Sequence, residues 1–261
     1  MKKMLFLILF MSVAYLFYGQ NEEKLHKYAT FFIEESGKNT IIKIVNNGLF
    51  PVTVTIDPAI PLKVLSEINF PYVGTIIGKS EFIFELNGKY SKEQIIKWIY
   101  LKTGSIYAVH NDKYEYAYPF SGIVNPSISQ NINGGFTHKG EYKYAIDWQM
   151  DVGTPIFAAR NGIVVDIESS YNKNGLTPDY FSKANYILIL HDDNTLAEYI
   201  HLKKNGTICK IGEKVQQGEL IGYSGNTGYS TGPHLHFCVH QTISGTLRKS
   251  ILINFKNRTS N

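Results

Sequence analysis

The sequence predicts a mainly β protein, a small sandwich-like β domain followed by a second β-rich segment that carries the chemistry. Short runs of β-branched and aromatic residues recur along the chain, and turn dipeptides such as Asn47-Gly48, Asn87-Gly88 and Asn161-Gly162 punctuate them. The second segment shows no convincing amphipathic helix.

The chain opens on Lys2 and Lys3, an apolar run from Met4 to Phe17 and a small Gly19. A short positive start before an apolar stretch too short to span a bilayer comfortably reads as a secretory signal over residues 1–19, so the protein is expected to be exported, periplasmic or secreted. No cysteine lies near that boundary, which argues against a lipid-modified amino terminus. The formal charge of +4 falls by two with the leader, and no basic block remains to suggest nucleic acid as a partner. Roughly 240 mature residues suit one large domain or two ordinary ones.

Residues 20–112 form the first expected domain. Thr40–Val45 and Val52–Ile56 flank the turn Asn46-Asn47-Gly48, and Glu81–Leu86 runs into Asn87-Gly88. Ile95–Tyr107 reads as either a short helix or a strand, with Trp98, Tyr100 and Tyr107 tilting it to strand. Nothing here has catalytic spacing, and His26 and His110 read as structural; an accessory positioning or binding role follows.

Residues 113–261 form the second. Asn185–His191 and Thr195–His201 are strands joined by a hairpin turn at Asp192-Asp193-Asn194. Tyr171–Lys183, with Asn174-Gly175 and Pro178, is a long loop of the kind that borders binding sites. Cys209 and Cys238 are the only cysteines, and the sequence leaves a bridge or two free thiols open.

The run Ser224–Pro233 ends in His234-Leu235-His236. Two imidazoles one residue apart in a strand project from one face, while Leu235, Phe237 and Val239 take the other. A flexible Gly/Ser/Thr/Asn loop ahead of such a strand suits a metal at the floor of a groove. The plainer reading is a half-exposed strand that happens to carry two histidines. His191 reads as a surface strand end, and His240 as pointing to core or solvent. Asp151 and Asp166 lack ligand partners at useful spacing, and Tyr199 faces either the groove or the core.

Taken with Thr137-His138, Tyr144-Ala145-Ile146-Asp147-Trp148, Gly153–Gly162 and Tyr199-Ile200-His201-Leu202, this run resembles the lysostaphin-type, or LytM-type, zinc endopeptidases that cut the peptide part of bacterial peptidoglycan. The matching pieces cover nearly all of residues 117–240 in the family's order. Eight residues, Lys139–Ile146, separate His138 from Asp147 where the shorter family pattern has three. The resemblance implies a duplicated-hybrid-motif (barrel-sandwich hybrid) catalytic domain. It also implies one zinc ion per chain held by His138, Asp147 and His236, with His201 and His234 beside the metal as catalytic groups. Two imidazoles and a carboxylate suit Zn²⁺ and leave a position for water. The expected function is an exported zinc metalloendopeptidase acting on peptidoglycan stems or cross-bridges. Its rivals are a catalytically inert wall-binding regulator, and a metallopeptidase of other extracellular proteins.

Overall fold

Strict alternation governs the first sheet. Along the strand Asn39–Asn46, Thr40, Ile42, Ile44 and Asn46 are buried while the residues between them are partly exposed. This strand lies between Ala29–Ser36 and Glu81–Asn87, with Ile44 opposite Phe31 and Ile42 opposite Phe84. The computed structural model describes residues 23–58, 68–122 and 126–257; the leader expected over 1–19 lies outside them. A second sheet centres on Val52–Ile56, buried at every position between Tyr72–Ile76 and Ile99–Thr103. Phe31, Ile42 and Phe84 from one sheet share a core cluster with Val54, Ile56 and Ile99 from the other.

Asn46-Asn47-Gly48 therefore makes a crossing between sheets. The Asn46 amide donates to Phe50 O and Ile76 O, and its Oδ1 accepts from Gly48 N. Ile95–Tyr107 holds part of each alternative. A short helix, Lys92–Ile96, ends just inside it, and the strand Ile99–Thr103 follows. The helix is started by a capping box in which Ser91 Oγ accepts from Gln94 N and Gln94 Oε1 accepts from Ser91 N.

The second half is organised around an eight-stranded sheet. Its core order runs from Gly162–Glu168 through Tyr186–Leu190, Leu196–Ile200, His234–Thr242 and Ile146–Gln149 to the edge strand Ile128–Gln130. A three-stranded sheet of Pro155–Phe157, Leu220–Ser224 and Leu202–Thr207 packs against it. Ile156, Ile221 and Leu202 from that small sheet meet Trp148, Tyr199, Leu235, Phe237 and Val239 from the large one. The protein is mainly β, and the apolar face of the His-x-His strand is the floor of this core. Truncating Phe237 to Ala would leave a cavity costing about 3–5 kcal/mol.

The far end of the His-x-His strand is fastened to the first segment. Thr242 Oγ1 and Arg248 Nη2 donate to Thr103 O, and Gln241 Nε2 donates to Ala108 O. Asp166, which lacks metal-ligand partners at useful spacing in the sequence, accepts from Lys27 Nζ and from the hydroxyls of Tyr28 and Tyr186 (3.0 Å each). Cys209 and Cys238 are separate, buried free thiols.

Candidate metal centre and flanking histidines

The strands on either side of His234–Thr242 decide what faces the site. In an antiparallel ladder, directly opposed residues project to the same face. Asp147 lies opposite His236 and Gln149 opposite His234, so carboxylate and imidazoles share the polar face while Trp148 and Leu235 go to the core.

His138 reaches the same point from a loop. Its Nε2 lies 3.1 Å from Asp147 Oδ1, and His236 Nδ1 lies 2.8 Å from that same oxygen. Ligand atoms of His138, Asp147 and His236 all fall within 4.8 Å of one another, and all three residues are buried. His138 Nδ1 lies 2.9 Å from Asn131 O, a partner that can only accept, so this nitrogen carries the ring proton. In a neutral ring that leaves the Nε2 lone pair aimed at a carboxylate oxygen. Nε2 of His138 is buried without a hydrogen-bond partner, and His236 turns its Nδ1, not its Nε2, to the same carboxylate oxygen. Converging electron pairs in a buried pocket call for a cation, and two imidazoles plus a carboxylate fit Zn²⁺. In the protein without metal, burial alone would raise the Asp147 pKa, but His138 and His236 outweigh it and hold the carboxyl well below its usual range. Burial likewise opposes a charge on His138, and Asp147 reverses the sign, so the net shift is upward.

Gln130 organises the surroundings, and sequence reasoning missed it. Its Nε2 donates to Asp147 Oδ2 (3.1 Å) and Thr137 Oγ1 (2.7 Å), while its Oε1 accepts from Phe136 N (3.0 Å) and Thr137 N (2.9 Å). One side chain thus ties the loop leading into His138 to the second oxygen of Asp147, leaving Oδ1 for the cluster. No spacing rule would have singled out a glutamine eight residues before His138.

His201 and His234 stand together beside the triad, their rings 4.4 Å apart, with His234 Nε2 4.0 Å from Asp147 Oδ1. His201 Nδ1 meets Thr227 O at 2.6 Å and His234 Nδ1 meets Gly232 O at 2.8 Å. Both carbonyls belong to the Gly-rich run, so that loop holds each ring with Nδ1 protonated and Nε2 available as an acceptor. Burial pushes His201 down to about 3, helped by His234 and His236. His234 is also lowered, with burial again the largest cause. Both rings are therefore neutral at pH 7.

The Gly-rich loop is tied down from below. Thr227 Oγ1 donates to Leu202 O, and Ser224 Oγ donates to Asp151 O. At Gly225 an added Cβ would lie 2.5 Å from Lys203 N and 2.6 Å from Leu202 C, so only glycine permits this approach.

His110, His191, His240 and Tyr199 lie elsewhere. His191 is a buried residue rather than a surface strand end, its Nδ1 2.8 Å from Thr195 Oγ1 and its ring against Tyr116. His240 is in the interior, with Nε2 3.0 Å from Glu198 Oε2, and His110 pairs with Asp112. Tyr199 faces the core, where its hydroxyl accepts from Ala159 N.

Residues 141–248 match the model of peptidase family M23, a range that includes Asp147, His201, His234 and His236 and begins three residues after His138. The chain is 34% identical over 164 residues to an uncharacterized metalloprotease of Buchnera aphidicola subsp. Baizongia pistaciae, covering 63% of this chain and 35% of that protein. It is 32% identical over 177 residues to the peptidoglycan DD-endopeptidase ShyC of Vibrio cholerae, covering 60% of this chain and 38% of the relative. It is 37% identical over 107 residues to lysostaphin of Staphylococcus staphylolyticus, covering 41% of this chain and 19% of the relative. The chain thus spans little more than a third of the first two relatives and less of the third.

Proposed function

We propose that this chain is an exported zinc metalloendopeptidase that hydrolyses peptide bonds in bacterial peptidoglycan stems or cross-bridges, a reading supported by the match of residues 141–248 to the model of peptidase family M23. The observation that carries the reading is the buried convergence of His138 Nε2, the Asp147 carboxylate and His236 Nδ1, with His138 Nε2 unpartnered. These three residues hold the metal in this reading. Bound there, zinc supplies a Lewis acid that polarises the scissile carbonyl and brings the pKa of a water near ~7.

The chain's own residues do the rest. His201 and His234 present neutral Nε2 atoms to the groove, so either accepts a proton from the attacking water. The ring that has taken that proton stabilises the developing oxyanion as imidazolium and then returns the same proton to the leaving amine. Thr227 O and Gly232 O keep both rings in the tautomer that allows this. Gln130 holds the Asp147 carboxylate in orientation. The groove beside the triad, about 690 Å³ and lined in part by Gln149, Asp151 and Thr154, is large enough for an extended peptide. In this reading residues 113–261 are the catalytic domain, residues 20–112 an accessory domain that positions it, and residues 1–19 the export signal. No helix among the described residues is long and apolar enough to cross a membrane.

Purified protein incubated with defined peptidoglycan, followed by mass analysis of the released fragments, tests this. New amino termini within stem or bridge peptides, abolished by a chelator and restored by zinc, are expected. Bound zinc without any cleavage would favour the inert regulator, and cleavage of protein substrates alone would favour the other metallopeptidase reading.

A further inference from the structure

Phe136 and Phe181 both stack on Tyr229, with centroids 5.9 and 4.2 Å from it and both interplanar angles at 19°. The three rings come from three separate segments, and Phe136 and Phe181 are 62% and 64% exposed. Two large apolar side chains left in water and grouped beside a reactive centre are a signature of ligand contact.

The wall they form is braced. Phe136 N is bound by Gln130 Oε1, at the root of the His138 loop. Asn174–Gly175, in the long loop that carries Phe181, pairs in parallel with Gly228–Tyr229, and Asn174 Nδ2 donates to Ser230 O. Gly228 has φ +83°, and a Cβ there would lie 2.5 Å from Ala184 Cβ. Loop and Gly-rich run are thus seated directly on one another.

Behind the wall lies an open chamber of about 350 Å³, lined by Tyr142, Ala184 and Ile200, with Thr137, His201 and His236 also in its lining. Among the described residues no Asp, Glu, Lys or Arg lines it. The larger groove shares Phe136, Thr137, Tyr229, His201 and His236 with this chamber but adds Asp147 and Asp151. The two spaces therefore meet at the triad, and of the two only the larger has carboxylates in its lining.

The geometry points to the chamber as a specificity pocket for an uncharged alkyl side chain on a residue flanking the scissile bond, an inference that rests on the peptidase reading above. A charged side chain there would lose its water without gaining a partner. Glycine would leave the apolar surface unfilled. Phe136, Tyr229 and Phe181 are the specificity-determining residues.

The test uses the full mature chain, loaded with zinc, and peptides that differ only at the residues flanking the cleaved bond: Gly, Ala, Leu, Lys or Glu. kcat/KM is measured for each by chromatography. The alkyl peptides should exceed the glycine peptide by about 10–200-fold, the range for filling an apolar pocket. Phe181→Ala, at an exposed position, should erase about tenfold of that preference, read as the ratio of kcat/KM for the alkyl peptide to that for the glycine peptide. Phe181→Asp should improve cleavage of the Lys peptide relative to wild type. Phe136→Ala, which alters the wall from a different loop, should reproduce the loss seen with Phe181→Ala. Equal losses on every peptide, or a glycine preference in the wild type, would overturn the pocket while leaving the peptidase reading intact. Failure of the wild type to cut any peptide or peptidoglycan would overturn both.

Discussion

Gln130→Ala separates a metal-site organiser from a simple loop staple. The side chain makes four hydrogen bonds, two accepted from the Phe136 and Thr137 amides and two donated to Thr137 Oγ1 and Asp147 Oδ2. At about 0.5–1.5 kcal/mol net for each, complete loss would destabilise by about 2–6 kcal/mol. The Phe136 amide is exposed and can turn to water, so the lower end, about 2 kcal/mol, is expected, or about 4–8 °C in Tm for a chain of this size. The metal effect is separate. Partners that orient a ligand are typically worth 10–100-fold in affinity, and among the described residues Gln130 is the side-chain donor to Asp147 outside the histidine cluster. Zinc affinity measured by competition with a chromophoric chelator should therefore fall by about 10–100-fold in Gln130→Ala. A lowered Tm with unchanged zinc affinity would refute the reasoning and reduce Gln130 to a tie for the His138 loop.

Other outcomes follow from the same geometry. His138→Ala, Asp147→Ala and His236→Ala should each strip or greatly weaken the zinc, read by elemental analysis of the purified protein; full occupancy in any of them removes that residue from the ligand set. His201→Ala and His234→Ala should keep zinc and fold while turnover on peptidoglycan falls by about 10²–10⁴-fold; zinc loss in His234→Ala would mean that His234 is a ligand. Burial, aided by Arg160, pushes His191 down to about 3, below its unfolded value near ~6.5. The unfolded chain then binds the extra proton, so this contribution is complete above pH ~6.5 and is lost as pH falls toward about 3, by at most about 1.4 kcal/mol per pH unit. Tm against pH for wild type and His191→Gln should diverge in that window; parallel curves would contradict it. Cys209 and Cys238 are buried, and burial raises both thiol pKa values, Cys209 to about 11. A thiol reagent should therefore label neither in the native protein and both in denaturant.

What the sequence revealed of the site follows from where its residues sit. Asp147, His234 and His236 lie on adjacent antiparallel strands, so period-two alternation alone sends them to one face and Leu235, Phe237 and Val239 to the other. His138 sits on a loop, where no periodicity operates, and only its resemblance to a family pattern pointed to it. Gln130 was invisible because its partners are backbone amides of that same loop, and a glutamine in an edge strand carries no distinguishing pattern. The short helix Lys92–Ile96 starts upstream of the ambiguous stretch Ile95–Tyr107, at the Ser91 and Gln94 capping box, and the aromatic residues that pointed to a strand follow it around Ile99–Thr103. His191 looked exposed because it ends a strand beside an acidic turn. It is covered by Tyr116, some seventy-five positions earlier, and local sequence cannot report such a contact.

His201 shows where the local rule had to fail. Tyr199 and His201 share parity, so an unbroken strand would send both the same way. Tyr199 is in the core, opposite Phe237, whereas Ile200 lies opposite His236. Continued alternation would bury His201 in the apolar core with Tyr199. Instead its φ is +66°, a left-handed conformation unusual outside glycine and costing on the order of 1–3 kcal/mol. That reversal ends the strand and swings the imidazole back beside His234, where Thr227 O holds it at 2.6 Å. The strain persists because the surrounding loop fixes the ring, and it falls on the residue to which the proposed chemistry assigns proton transfer. A break in strand parity at one histidine is thus the mark the chemistry leaves on the fold.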